Sequence, residues 1–167
     1  YSYIGTVPFL DIFDRPLCDW NQVVKQFEDV LIGTLSLIAL APLMALVALA
    51  IKLDSPGPVL FRQRRYGFNN ELIEVLKFRS MYTNDCDADA LRLVSRGDNR
   101  VTRVGRFIRR TSIDELPQLF NVIKGELSLV GPRPHALLAK ADNRLYADVV
   151  DSYFARHRVK PGITGWA

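Results

Sequence analysis

Cysteine is scarce: the 167 residues hold two, Cys18 and Cys86, and no CxxC pair. That excludes a disulfide scaffold and a cysteine-based metal centre, and it suits reduced thiols in the cytosol. Histidine is equally scarce. His135 and His157 stand far apart without metal-ligand spacing, so no zinc site is expected. There is no GxGxxG, Walker or GxSxG motif, no internal repeat and no low-complexity segment. Neither sign of charge dominates, with 22 Lys and Arg against 18 Asp and Glu. At 49% hydrophobic and 24% charged residues, a disordered or collagen-like chain is excluded. The length suffices for one domain with its own core. The chain starts at Tyr1 and stops in GITGWA, so it reads as a fragment with elements expected on either side.

What is present is first an apolar run. Val30 to Ile51 contains no charge, and as a straight helix it reaches roughly 33 Å, enough for a hydrocarbon core of about 30 Å. It begins too far into the chain, after an acidic stretch, for a secretory signal. Pro42 lies inside it. A proline removes a backbone donor and crowds the carbonyl of Ile38, so a bend or break is expected there. Three placements stay open: a kinked spanning helix, a re-entrant hairpin with both ends on one face, and the core helix of a soluble protein. Lys52, Arg62, Arg64 and Arg65 follow the run, against Asp54, which places that flank in the cytosol by the positive-inside rule.

The rest of the chain divides around this run. Residues 1–22 read as a linker from an upstream domain, 23–53 as the membrane segment and 54–167 as a cytosolic domain. Asp54-Ser-Pro-Gly-Pro58 is a turn cluster. Val59–Arg62 and Ile73–Phe78 have strand character around the turn Gly67–Asn70, which predicts a hairpin. Val104, Phe107 and Ile108 have helical spacing. Ser112 followed by Glu115 fits a capping box, with Leu116, Leu119, Phe120 and Ile123 as the buried face of the helix it would start. Gly125 is the expected C-cap, and 142–158 is expected to be helical. The fold class expected is α+β, mostly helical, with a short β-hairpin.

Two features could carry chemistry. Residues 60–110 hold twelve Lys or Arg against six acids, an anion-binding face for nucleotide phosphate, lipid phosphate or nucleic acid. Just beyond, Asp114 and Glu115 sit side by side after Arg109 and Arg110. Adjacent carboxylates at a helix start can hold a divalent cation and supply a nucleophile. They can equally be a cap and a dipole partner with no chemistry. Arg133, between Pro132 and Pro134, is either a presented guanidinium or part of a rigid turn. A non-catalytic basic module beside the membrane, binding anionic lipid or nucleic acid, is the competing reading. Two carboxylates inside the basic face count against it, because they repel an anion unless a cation bridges them. Sparse aromatics between Arg92 and Arg110 count against base stacking, so no nucleic-acid partner is expected.

In order along the chain, FDRPLCDWNQ, the run with its central proline, KLDSPGPVLFRQRRYG, VLKFRSM, RVGRFIRRTSIDELPQLFNVIKGELSLVGPRP and RHRVKPGITGWA resemble the bacterial sugar transferases. These are the monotopic polyprenyl-phosphate phosphoglycosyl transferases, and the most similar branch is the undecaprenyl-phosphate glucose phosphotransferases. The resemblance implies a re-entrant, helix-break-helix membrane segment with its break at Pro42. It implies a catalytic domain on the cytoplasmic face of the bacterial inner membrane. The implied reaction moves a sugar 1-phosphate, glucose 1-phosphate in that branch, from a UDP-sugar to undecaprenyl phosphate and releases UMP. It is the first membrane step of exopolysaccharide, capsule or O-antigen assembly. Asp114 is then the nucleophile of a ping-pong reaction and Glu115 a Mg2+ ligand. Lys77, Arg79, Arg109, Arg133, Arg156 and Lys160 are the implied substrate-binding cations, and self-association into a homo-oligomer is open. One departure is Ala41-Pro42, where many members have Ser-Pro.

Overall fold

The computed structural model describes residues 2–4, 7–9, 19–83, 98–134, 140–141, 144–145 and 159–165. Strands β1 (Ser2–Ile4) and β2 (Val7–Phe9) pair antiparallel within the expected linker. The apolar run lies in α1 (Asp19–Asp54), 36 residues long, with Pro42 inside it. The helix continues across Pro42 and does not end there. Among the described residues it is the one helix long and apolar enough to cross a membrane. Leu31, Leu35, Ile38, Leu46 and Leu49 are all exposed on it. A contiguous apolar surface of this kind is unfavourable in water and calls for another solvent or a partner.

The remaining elements grip α1 near both of its ends. Toward the N-terminal end, Asp29 is buried. Its carboxylate accepts from Lys25 Nζ, from Ser128 Oγ at 2.7 Å and from the Leu129 amide at 3.2 Å. One turn on, a Cβ at Gly33 would meet Val122 at 3.3 Å, so the helix backbone passes close to its neighbour there. Toward the C-terminal end, Val47 and Ile51 are buried with Phe78 and Ile108. Asp54 closes that end by accepting the Val104 amide at 3.1 Å.

The expected hairpin is present. β3 (Leu60–Tyr66) and β4 (Leu72–Phe78) pair antiparallel, with Leu60 opposite Phe78 and Tyr66 opposite Leu72. The strands run further toward the turn than the sequence pattern reached. Asn69 takes φ 52° in that turn, a left-handed conformation that asparagine tolerates. Strand alternation then separates two clusters. Phe78 joins α1 and Ile108, while Val75 joins Val122 and Leu127.

Helix α2 (Arg103–Arg110) starts at Thr102, whose hydroxyl accepts the Gly105 amide at 2.9 Å. Ile108 is buried and Phe107 exposed. The expected capping box is absent. Ser112 has φ 57° and makes no side-chain cap bond. Residues Ile113–Glu115 form a single 3-10 turn, and α3 (Gln118–Ile123) begins only after Pro117. This restart rotates the helix, so Gln118, Leu119, Asn121 and Val122 are buried and Phe120 is exposed. Proline explains the break, since Pro117 can start a helix but has no amide to continue one. Gly125, at φ 79°, ends α3 as expected.

Buried Asn121 ties α3 to β4. Its Oδ1 accepts the Leu76 amide at 3.0 Å, and its Nδ2 donates to the Glu74 carbonyl at 2.7 Å. Two further pairings were not legible in the sequence. β5 (Ser128–Val130) pairs parallel with β8 (Gly162–Thr164), the last pairing in chain order. Between them β6 (Lys140–Ala141) pairs with β7 (Arg144–Leu145). The helix expected over 142–158 is therefore corrected at its start, where Arg144 and Leu145 are extended. The rest of that span lies outside the described residues.

Glycine is required where α2 crosses the chain after β4, because a Cβ at Gly105 would overlap the Ser80 carbonyl oxygen. Gly105→Ala gains about 1 kcal/mol of helix propensity. It should nevertheless lose about 1–3 kcal/mol net through overpacking. Thermal unfolding of the variant beside wild type measures this directly, and an unchanged midpoint would show that the crossing relaxes freely.

Candidate active site

The adjacent carboxylates fall in the 3-10 turn between α2 and α3, and the turn sends them to different surroundings. Glu115 Oε1 accepts from Lys77 Nζ at 2.8 Å and from Arg133 Nη2 at 3.1 Å. Glu115 is therefore an ion-pair centre and caps nothing. Lys77 lies on β4, on the face opposite Phe78. Arg133 is presented by the loop after β5 and remains mostly exposed. Asp114 is part-buried and has no side-chain partner among the described residues.

These environments push the two carboxyls apart. Burial raises the Asp114 pKa above its ordinary value, with the Glu115 charge adding to the rise, and the charges of Lys77 and Arg109 only partly offset it. Glu115 is also penalised by burial, but the Lys77 hydrogen bond and charge, with Arg133 and Arg65, outweigh that and hold it low. The two adjacent carboxyls thus differ in environment, Asp114 part-buried with no side-chain partner among the described residues and Glu115 held ionised by cations.

Beside Glu115 is a small cleft of about 20 Å3, lined by Arg65, Lys77, Gln118, Arg133 and the backbone of Gly162. It has room for about one water molecule. Any larger ligand would lie over its open face. Arg65 was not singled out in the sequence. Its Nη1 donates to the Pro134 carbonyl at 2.7 Å and its Nη2 to Gln63 at 2.7 Å, which anchors the Pro-Arg-Pro loop from β3. The loop is held again from behind, where the Gly162 amide donates to Pro132 O at 3.0 Å and the Gly131 amide to Thr164 O at 2.9 Å. Gln118 was also missed. It is buried at the start of α3, lines the cleft, and its amide has no partner among the described residues. Neither has a local signal in the sequence, because only the hairpin and the restarted helix bring them to Glu115.

The other expected cations separate. Arg109, exposed in the last turn of α2, lies close enough to lower the Asp114 pKa but forms no ion pair among the described residues. Arg79 is corrected. It is buried at 2% exposure, and its guanidinium donates to Ser55 O at 2.7 Å, Ser55 Oγ at 2.8 Å and Pro56 O at 2.8 Å. It closes the C-terminal end of α1 and does not reach the dyad. Alternation alone would set Arg79 on the Lys77 face, but β4 ends at Phe78, and the guanidinium just beyond it is drawn to Ser55 and Pro56. Lys160 likewise does not line the cleft. Its Nζ lies beside Gly125, at the far end of α3 from Glu115. Arg156 lies outside the described residues.

Over residues 20–167 the chain matches the family model described as bacterial sugar transferase. The chain belongs to the bacterial sugar transferase family. It is 62% identical over 153 residues to an undecaprenyl-phosphate glucose phosphotransferase of Komagataeibacter xylinus, covering 92% of this chain and 29% of that protein. It is 49% identical to the UDP-glucose:undecaprenyl-phosphate glucose-1-phosphate transferase of Escherichia coli K12, covering 96% of this chain and 34% of the relative. A third relative is the UDP-N-acetylgalactosamine-undecaprenyl-phosphate N-acetylgalactosaminephosphotransferase of Aeromonas hydrophila, 45% identical over 86% of this chain and 33% of its own length. The chain thus spans about a third of each of these relatives.

Two predictions follow from the placement of these groups. Arg79→Lys should lower the unfolding temperature, because one ammonium cannot reproduce the fork over Ser55 and Pro56, while the substrate KM of the full-length protein stays at the wild-type value. Arg133→Lys should do the reverse, and steady-state kinetics beside thermal unfolding separate the two. The dyad makes an opposed pair. Because the Asp114 pKa is raised in the folded state, its ionised form costs stability at neutral pH, and the fold gains stability as pH falls through that pKa. Glu115 has the other sign, contributing stability that is lost as pH falls through its lowered pKa. Asp114→Asn should therefore unfold at or above the wild-type temperature at pH 7, and Glu115→Gln should cost roughly 1–3 kcal/mol.

Proposed function

We propose that this family member is an enzyme, a phosphoglycosyl transferase. It moves a sugar 1-phosphate from a UDP-sugar to undecaprenyl phosphate and releases UMP. Glucose 1-phosphate is the group named by the two more identical relatives quoted above. The observation that carries the reading is the unpartnered, part-buried Asp114 beside a Glu115 held by Lys77 and Arg133, on a domain joined to an exposed apolar helix.

The reaction proceeds in two displacements on one phosphorus. An Asp114 carboxylate oxygen attacks the sugar-bearing phosphorus, the phosphoanhydride P–O bond breaks, and UMP departs with the electron pair. A phosphate oxygen of undecaprenyl phosphate then attacks the same phosphorus, the bond to Asp114 breaks, and the carboxylate is regenerated. Arg109 and Arg133 supply positive charge where phosphate oxygens gather. Lys77 keeps Glu115 ionised and in place.

The donor set fits Mg2+. Two adjacent carboxylates are hard oxygen ligands, and Mg2+ needs only one or two of them when substrate phosphates and water complete its shell. Glu115 would be its protein ligand, and the ion would supply charge neutralisation on the diphosphate.

Topology follows from the two grips on α1. Asp29 and Asp54 are 25 residues apart, about 37 Å along a straight helix, more than a hydrocarbon core of about 30 Å. A spanning helix would put them on opposite sides, yet both bind the same polar domain. That attachment supports a re-entrant α1 bent at Pro42, with both ends on one face. The basic flank after α1 supports the cytoplasmic face of the inner membrane as that side.

The test uses the full-length protein in membranes with sugar-radiolabelled UDP-glucose. UMP release and sugar-labelled protein are expected before acceptor is added, with loss of the label on adding undecaprenyl phosphate. After rapid denaturation the label should map to Asp114 and be absent from Asp114→Asn. Label on another residue, or wild-type turnover in Asp114→Asn, overturns the assignment.

A further inference from the structure

A second cavity lies apart from the dyad. A groove of about 460 Å3 lies between the C-terminal half of α1 and helix α2. Leu46 and Ala50 face Val104, Phe107 and Ile108 across it, with Arg103 at its edge. Its volume is that of a small-ligand site, roughly 300–1,000 Å3, but its walls are apolar. Phe107 and Leu46 are both more than half exposed, at 60% and 66%. Burial is thus incomplete at a place where α1 and α2 already touch. Arg103 is the cation at the groove itself, and Arg106 and Arg110 are exposed elsewhere on the same helix.

The geometry points to this groove as the seat of the acceptor's polyprenyl chain. This rests on the reading of the chain as a polyprenyl-phosphate transferase. Three features commit it to that occupant. One groove takes one chain, and a polyprenyl phosphate has one where a phospholipid has two. The lining offers apolar contact and no hydrogen-bonding group except the Arg103 edge, which suits hydrocarbon with an anionic head. The groove also adjoins the element that leads to the dyad. Its Ile108 wall shares a cluster with Ile113, the residue before Asp114, and α2 leads through one turn to the dyad. A chain laid in the groove leaves its phosphate near the cations of α2, the helix that leads to the nucleophile. The chemistry it would select is a long, unbranched-headed isoprenoid monophosphate, and the groove would set chain preference without touching the sugar.

The experiment varies the groove and reads the acceptor. Ala50→Trp fills it, Phe107→Ser at an exposed position removes apolar contact without filling it, and Leu49→Trp, exposed on α1 outside the lining, is the control. Each full-length variant is assayed in membranes over a range of undecaprenyl phosphate. Turnover is normalised to the sugar-labelled protein formed before acceptor is added. Ala50→Trp and Phe107→Ser should raise the KM for undecaprenyl phosphate by about tenfold, and Leu49→Trp should match wild type. Where the tryptophan variant fails to fold, Phe107→Ser decides alone. An unchanged KM overturns the inference, as does a KM that rises equally in Leu49→Trp. Loss of association with phosphatidylglycerol vesicles at unchanged KM also overturns it and assigns the groove to bulk phospholipid. Absence of both UMP release and labelled protein in the wild type is a different failure, that of the transferase reading itself.

Discussion

Two carboxylates on one apolar helix hold the molecule together. Asp29 and Asp54 are the acids that α1 offers to the rest of the chain, and each is used by backbone amides of elements far away in sequence, β5 and α2. Charge on an otherwise apolar helix is expensive unless it is satisfied. The satisfied pair therefore fixes where the domain sits along the helix. The surroundings of Glu115 depend on that arrangement. Lys77 reaches Glu115 because β4 is packed under α1 through Phe78, and Arg133 reaches it because β5 is fastened at Asp29.

The dyad shows how one turn of chain can divide two identical chemistries. Asp114 and Glu115 are neighbours, yet one carboxyl is pushed up by burial and the other pulled down by Lys77 and Arg133. A regular α-helix with a capping box would have turned Glu115 back on its own backbone. The left-handed Ser112 and the restart at Pro117 prevent this and leave Glu115 free to line the cleft. Residue type alone is a poor guide to role in the same region. Arg79 and Arg133 are both arginines in short motifs, but one is sealed against Ser55 and Pro56 and the other stands in solvent beside Glu115.

Local patterns carried some of the fold to the page. The hairpin was legible because β-branched and apolar residues alternate on both sides of a Gly-Asn turn, and the C-cap at Gly125 because few residues other than glycine adopt its φ. The buried face of α3 was misread, since the period was counted from Ser112 when the helix starts after Pro117. Arg65 and Gln118 were not legible as site residues. The first acts through a loop 69 residues away, and the second is an amide whose position at the cleft is a fact of packing.

The sequence by itself determined the apolar helix, the hairpin, the basic face and the adjacent carboxylates, because each is a property of a few consecutive residues and of hydrophobic period. Only the tertiary structure decided which cations meet Glu115, that Arg79 and Lys160 do not, and that Asp114 is left without a partner. It also decided that one domain holds both ends of α1. Those are long-range outcomes of where β4 ends, of the parallel pairing of β5 with β8 and of the two acids Asp29 and Asp54. No local spacing encodes a contact between residues that the chain brings together from a hundred positions apart.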